Sequence, residues 1–470
     1  MNMKKIVINT VKKALSFSPT VKTGLMLGIL TLAGCKASDR GELLGVQGRS
    51  LWFHPTPIGM VYVPTGTIHT GASEQDVFNS YLMPNKQVTI TAFWMDETEI
   101  TNNEYRQFVN WVIDSIAREM VDEDALFNVN DDTGERSINW DEELDWEEYV
   151  EELEDMFYPE EERFNGDKQI DTRKLFYRYM WIDFKKAAAE DRDKYNARDR
   201  RNFIRKERTL IYPDTLCWVR DYTYSYNEPM VRHYFNHEKY DDYPVVGVNW
   251  HQAKAFCNWR SLYKENYWRN IGNVSRTEDF RLPHEYEWEY AARGGRDANM
   301  YPWGGPYTRN SKGCMLANFK PLRGNYGADG GVYPVRVDSY FPNDYGLYNM
   351  AGNVAEWTKS TYAEAAASFQ HDLNPAYETD VSEFVHETET EEGFDEKPFE
   401  VDNVWEQENF VQEGSSITKK RKVIRGGSWK DVAHFIQCGT RTYDYQDTSK
   451  CYIGFRTIQS YIGRSNKDKK

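Results

Sequence analysis

The chain has 470 residues, is 28% charged and 40% hydrophobic, and carries a formal net charge of −16. Its 23 Phe, 32 Tyr and 15 Trp supply enough large apolar surface for a core, which excludes wholesale disorder. The acidic balance excludes a surface built chiefly for nucleic acid, and six Cys without a CxxC pair exclude a disulfide miniprotein or a zinc ribbon.

Residues 1–34 read as a lipoprotein signal peptide. Lys4, Lys5, Lys12, Lys13 and Lys22 form a positive region ahead of the apolar run 24–33. That run is shorter than the roughly 20 residues a spanning helix needs and has the length of a signal core. Leu32-Ala33-Gly34-Cys35 resembles the bacterial lipobox, which makes Cys35 the expected lipidation site. Acyl chains at about 0.8 kcal/mol per buried methylene would then hold the mature chain to a membrane.

Residues 35–57 read as a polar tether. Alternation over 58–70 around Pro64-Thr65-Gly66 predicts a strand pair. Residues 88–101 alternate again and lead into a helix, with Thr101 as N-cap and Glu104 completing a capping box. Tyr105, Phe108, Val109 and Val112 fall on one face of that helix.

Composition then changes. Residues 117–242 read as a charged, partly helical insertion. Within it, 119–162 holds 20 Asp or Glu against one Arg, and 168–208 holds 14 Lys or Arg. Trp146, Tyr149, Val150, Leu153 and Phe157 predict one amphipathic helix, and Leu175, Phe176, Tyr179 and Ile182 a second. Residues 244–250 read as a strand. Asn249 is expected to cap a helix through Ala253, Phe256, Cys257 and Leu262. Pro283 is expected in the first turn of another helix, running through Trp288 and Tyr290 and ending at Gly294. Loops rich in Gly, Asn and aromatics follow. Residues 363–420 form a second acidic insertion, in which 372–413 holds 15 acidic residues and one Lys. Two strands, at 422–429 and 452–458, close the chain before a basic tail, 463–470. The two insertions carry more than the whole net negative charge, so the remainder is basic.

The segments 58–116, 243–362 and 421–462 therefore read as one interrupted module. Their words MVYVPTG (60–66), FWMDETEITNNEYRQF (93–108), YPVVGVNWHQAKAFCNW (243–259), FRLPHEYEWEYAARGG (280–295), YPWG (301–304), NDYGLYNMAGNVAEW (343–357), RGGSW (425–429) and GFR (454–456) resemble the formylglycine-generating-enzyme/sulfatase-modifying domain. That resemblance implies an irregular α+β module, similar to a C-type lectin-like fold, here with large charged insertions. The lipobox followed by SDRGELLGV (38–46), and the run DETEITNNEYRQFVNWVIDSI (96–116), resemble the GldK/PorK lipoproteins of the type IX secretion and gliding-motility machinery. This narrower resemblance implies an outer-membrane lipoprotein on the periplasmic side. It implies a ring-like homo-oligomer with a GldN/PorN-type partner and other type IX secretion components, and no nucleic acid. A ring needs head-to-tail contacts between different surfaces, and the oppositely charged segments are natural candidates. A lipid-anchored formylglycine-type oxidase and a glycan-binding receptor are the alternatives, the latter on fold alone.

Active members of the superfamily bind copper through two Cys at about the third and eighth positions after the Ser of the RGGS word. Here those positions are Asp431 and Ile436. Neither is a thiolate or thioether, the donors that Cu(I) requires. No copper and no catalytic residue are expected, and Cys438 lies two residues past the second position. No HExxH, GxSxG, P-loop or dinucleotide glycine pattern is present. His251, His284 and His434 read as hydrogen-bonding residues. Glu285, Glu287 and Glu289 are expected on different helix faces rather than as a dyad. The resemblance implies calcium at Asn349, Gly352, Val354 and Glu356, and a second calcium at Asn318, Phe319, Asp329 and Gly331. Both sets offer the carboxylate, amide and backbone oxygens that a hard cation takes. Arg425, Arg441 and Arg456 are expected to pin loops, and Trp250, Trp288, Trp303, Trp357 and Trp429 to form the module's core. Pairing among Cys217, Cys257, Cys314, Cys438 and Cys451 is open, with Cys257 fitting a buried thiol.

Overall fold

The computed structural model describes residues 54–71, 85–129, 136–184, 187–188, 203–221, 229–270, 277–321, 325–364, 366, 378 and 420–463. The signal peptide, Cys35, most of the tether, most of the second acidic insertion and most of the basic tail lie outside these residues.

The expected strands at 58–70 form but do not pair with each other. β1 (Met60–Val63) pairs antiparallel with β4 (Phe93–Asp96), while β2 (Gly66–Thr70) pairs with β3 (Lys86–Ile90). The turn at Pro64-Thr65 thus separates two sheets. The last strand, β14 (Ile458–Ser460), adds to the free edge of β4 and is flanked by β9 (Phe280–Arg281). Both ends of the module meet in this sheet. His54 at its entrance is fully buried, stacked on Tyr461 at 5.6 Å, so the fold begins before residue 58.

α1 (Asn102–Val121) starts at the expected cap. Thr101 accepts the Glu104 N–H, and the Glu104 carboxylate accepts the Thr101 N–H at 2.9 Å. Its buried stripe of Tyr105, Phe108, Val109 and Val112 faces α4 (Trp250–Asn270), with Tyr105 stacked on Phe256 at 5.7 Å. Asn249 caps α4 by accepting the Gln252 N–H at 2.9 Å. Leu262, expected on the buried face of α4, is exposed.

Residues 117–242, expected as a partly helical insertion, depart from the helical reading. Residues 146–153 form a run of turns followed by a short 3₁₀ turn, Glu154–Met156, and within 146–156 only Leu153 and Met156 are buried. Residues 127–138 hold a small hairpin, β5 (Phe127–Val129) with β6 (Arg136–Ile138). The expected second helix is a strand. β7 (Phe176–Ile182) pairs antiparallel with β8 (Ile204–Leu210), burying Tyr177 and Tyr179 and exposing Arg178, Met180 and Ile182. The true period is two. Tyr179 and Ile182 share a helical spacing only by coincidence, and the aromatic and β-branched content favours the strand. This hairpin is part of the module's core: Tyr177 meets Phe108 edge-on at 5.3 Å, and Tyr105 Oη donates to the Ile211 carbonyl at 2.8 Å. α2 (Cys217–Asp221) and α3 (Pro229–His233) complete the insertion's described part.

Residues 244–250, expected as a strand, form only an isolated bridge from Pro244 to Thr101, although Val245, Val246 and Val248 are buried. α5 (Glu285–Arg293) is capped by His284, so Pro283 precedes the cap instead of occupying the first turn. Gly294 ends it in the left-handed region at φ 62°. The second sheet has the order β12 (Thr442–Tyr445), β11 (Arg421–Arg425), β10 (Ala355–Thr361), β13 (Ile453–Gly454), with β10 and β13 parallel. Trp288, Trp357 and Trp429 are buried as expected, whereas Trp250 and Trp303 are half-buried. No helix among the described residues is long and apolar enough to cross a membrane.

Candidate functional site

The loop 343–354 leads into β10 and carries three of the four residues expected at the first calcium site, Asn349, Gly352 and Val354, with Glu356 in β10 itself. Asn349, Gly352 and Asn353 all have positive φ, at 49°, 79° and 63°. Gly352 is required twice over, because a Cβ there would also press on the Asn318 backbone, 3.0 Å from its carbonyl carbon. This close approach brings the two expected ligand sets together. The Asn353 N–H donates to the Asn318 carbonyl at 2.8 Å, and Asn318 Nδ2 donates to Asn353 Oδ1 at 3.2 Å.

The two sets differ in what their oxygens already do. Glu356 is fully buried and bound bidentately by Arg456, with Nη2 to Oε1 and Nε to Oε2 both at 2.7 Å. Trp288 Nε1 donates to Oε2 as well, at 2.6 Å. A cation on Glu356 would sit against a guanidinium, so Glu356 does not fit the expected ligand role and is instead a buried ion-pair partner. Asn349, Gly352 and Val354 stay close by, with Asn349 Nδ2 donating to Glu99 Oε2 and to the Val337 carbonyl.

The second set fits better. Asn318 Oδ1 is buried and accepts no hydrogen bond among the described residues. Asp329 is buried, and burial raises its carboxyl pKa against the lowering effect of backbone donors, including the N–H groups of Phe319 at 2.8 Å and Gly331 at 3.3 Å. A Cβ on Gly331 would lie 3.2 Å from Asn318 Oδ1. The orphaned amide oxygen of Asn318 thus lies close to Gly331, whose N–H the buried Asp329 carboxylate accepts. Among the described residues no three His, Cys, Asp or Glu converge on one point, so any cation here relies on the Asp329 carboxylate together with amide and backbone oxygen.

Glu99 was not singled out by its sequence. It is fully buried, accepts from both Asn349 and Asn353, and its pKa is pushed up to about 8 by burial, against the pull of Arg456. It lies inside the matched word DETEIT, but nothing local marks it. Only the distant Asn349–Asn353 loop gives it a role.

Asp431 and Ile436, the positions that the resemblance assigns to copper, have structural partners. Asp431 Oδ2 accepts the Ser428 N–H at 3.0 Å and the Ser428 hydroxyl at 2.6 Å. Ile436 is fully buried in an apolar cluster with Tyr301, Ala317, Phe319 and Ala351. These residues do not fit copper. Cys438 is buried, and burial pushes its thiol up to about 12, far from a reactive thiolate.

The three carboxylates of α5 are not all splayed apart. Glu285 and Glu289, one turn apart, share a face and both reach Arg425, at 3.6 and 3.1 Å. Arg441 binds Glu285 bidentately, and Arg293 binds Glu289 at 2.6 Å. Glu287 points elsewhere and is clamped by Arg281 through two contacts of 2.7 Å. The arginines of the closing words therefore pin loops through buried carboxylates, which makes this a cross-linked core and not an acid–base pair. Burial holds His284 down to about 4, and His251 contacts Asp447 at 3.2 Å.

Comparison with known proteins follows this geometry. The family model for the sulfatase-modifying factor enzyme 1-like domain matches residues 54–461. Over 234 residues the chain is 40% identical to the inactive C-alpha-formylglycine-generating enzyme 2 of Mus musculus, covering 48% of this chain and 51% of that protein. It is 29% identical over 227 residues to the formylglycine-generating enzyme of Mus musculus, covering 47% and 45%. The chain spans about half the length of these curated relatives. PvdO from Pseudomonas aeruginosa aligns with a TM-score of 0.40 at 16% identity, covering 85% of this chain and 94% of that one. The chain belongs to the family of the sulfatase-modifying factor enzyme 1-like domain, among whose members are proteins named inactive as well as proteins named as enzymes.

Proposed function

We propose that the protein is a non-catalytic structural lipoprotein of the type IX secretion and gliding-motility machinery. In this reading Cys35 anchors it to the outer membrane on the periplasmic side. Copies associate into a ring-like assembly with a GldN/PorN-type partner. The observation that carries the non-catalytic part is the use made of the two copper positions: Asp431 caps Ser428, and Ile436 fills a core cluster. Restoring chemistry there would mean dismantling both. The resemblance of the N-terminal region and of the interrupted module supports the assembly part.

Charge supports head-to-tail contacts. Asp141, Glu142, Glu143, Glu147 and Glu148 are exposed on one insertion segment, and Arg178, Lys206 and Arg208 are exposed on the hairpin of the other. Within one copy the ion pairs between the two segments, such as Lys168–Glu154 and Arg173–Glu162, are partly exposed and contribute little to stability. Gentle detergent extraction followed by electron microscopy and identification of co-purifying chains tests the assembly. Isolation as a monomer that turns over a sulfatase peptide with copper would overturn it. Charge reversal of Glu147, Glu148, Glu151 and Glu152 that leaves assembly and its salt dependence unchanged would remove the acidic segment from the contact.

Calcium belongs to this reading at Asn318, Phe319, Asp329 and Gly331. Its charge would offset the buried Asp329 carboxylate and engage the orphaned Asn318 oxygen, tying the 318–331 loop to the Asn353 network.

A further inference from the structure

Cys217 and Cys451 lie far apart in the chain, yet both are buried and both are free thiols in this structure. Their surroundings bring them together from three sides. In α2, Asp221 lies one turn after Cys217 on the same face, and its Oδ2 accepts the Cys451 N–H at 3.2 Å. Ser449 Oγ donates to Asp214 Oδ2 at 2.8 Å, so residues 449–451 run alongside 214–221. Gly247 closes the third side. Its N–H donates to the Lys450 carbonyl at 3.0 Å, its carbonyl accepts the Asp214 N–H at 2.8 Å, and a Cβ on it would lie 3.1 Å from Cys217 Sγ.

The two cysteines share one apolar cluster with Trp218, Val246, Val354 and Trp429. Cys257 and Cys438 sit in two other clusters, and Cys314 is exposed. Cys217 and Cys451 are therefore the one pair among the described cysteines that shares a cluster.

We propose that Cys217 and Cys451 form a disulfide in the mature protein. Each thiol gives up its hydrogen and one S–S bond forms. The two electrons and two protons pass to a thiol–disulfide oxidase of the oxidising compartment, whose own disulfide is reduced to two thiols through a mixed disulfide. Oxidation precedes closure of the cluster, because burial raises both thiol pKa values and leaves little thiolate once the fold is complete. The bond would fasten the end of the first insertion to the segment entering β13. Delivery to an oxidising compartment rests on the exported-lipoprotein reading above.

The test is non-reducing peptide mapping after alkylation of free thiols. One sample is the full chain exported with its own signal in a Gram-negative host. The other is residues 36–470 made in a reducing cytoplasm, then treated folded and in partial urea with oxidised glutathione. Trypsin places Cys217 in the peptide 209–220 and Cys451 in the peptide 451–456. The expected result is these two peptides linked in both samples, lighter by two hydrogens than their sum, with Cys257, Cys314 and Cys438 alkylated. Cys451→Ser should leave Cys217 alkylated. Linkage only after glutathione treatment supports the pairing and counts against export. Alkylation of both thiols in both samples, or linkage of either one to another cysteine, overturns the proposal.

Discussion

Replacing Glu356 tests whether the loop at 349–356 is held by an ion pair or by a cation. Arg456 is fully buried and makes two 2.7 Å contacts to the Glu356 carboxylate. Its remaining donors reach the Tyr348 carbonyl at 2.9 Å and the Asp96 carbonyl at 3.2 Å. Removing one partner of a buried pair costs about 3–5 kcal/mol, because the other charge stays buried. Glu356→Gln keeps one acceptor oxygen and the two carbonyls, so its loss belongs at the lower end, about 3 kcal/mol. Glu356→Ala also leaves Trp288 Nε1 without its acceptor, which adds about 1–3 kcal/mol. At about 2–4 °C per kcal/mol for a large domain, the Gln variant should melt several degrees below the parent. Urea unfolding at pH 7 should show the same deficit in chelator and in millimolar calcium. A deficit under about 1 kcal/mol would refute the buried-pair argument. A deficit seen only with calcium would make Glu356 a ligand after all.

Four further outcomes are expected. Calcium at 100 times its dissociation constant should stabilise the protein by about 2.7 kcal/mol, and Asp329→Asn should abolish that response; a melting temperature unmoved by chelator in the parent rules the site out. Thr101→Ala should cost about 1 kcal/mol and speed amide exchange in the first turn of α1, since it breaks the capping box; unchanged exchange would contradict the cap. Burial alone would raise the Glu287 carboxyl, but Arg281 pulls it from 4.5 down to about 2. Its folded pKa is thus below the unfolded one, so its contribution is complete above about pH 4.5 and is lost as pH falls towards 2; Glu287→Gln should flatten that acid limb, and an unchanged limb would refute the pairing. Finally, a short iodoacetamide pulse on native protein should label exposed Cys314 and spare buried Cys438; equal labelling would refute the packed reading of Cys438.

Much of the module was legible because its signals are local. The Thr101 capping box, the stripe Tyr105-Phe108-Val109-Val112 and the Asn249 cap each depend on residues within a turn or two of one another. The first insertion misled where a period of two imitated helical spacing: Tyr177 and Tyr179 alternate inwards, and only pairing with β8 fixes the face. The strand pair expected at 58–70 failed for a related reason. A Pro-Thr-Gly turn says that the chain bends, but not which edge each strand will find.

The site divides in the same way. That Asp431 and Ile436 carry no thiolate is plain in the sequence, because it is a property of the residues themselves. What those residues do instead, one as a cap and one as core, depended on contacts with Ser428 and Tyr301. The carboxylates were further from reach. Glu285 and Glu289 share a face by helix geometry, but it took Arg425, far along the chain, to make them one buried cluster. Glu99 gained its role from Asn349 and Asn353, and Glu356 was claimed by Arg456 before any cation could take it. The sequence by itself determined the family and placed non-thiolate residues at 431 and 436, since these rest on residue identity and short spacing. Tertiary structure decided which oxygens remain free, because a buried charge is settled by whichever opposite charge the fold brings within contact.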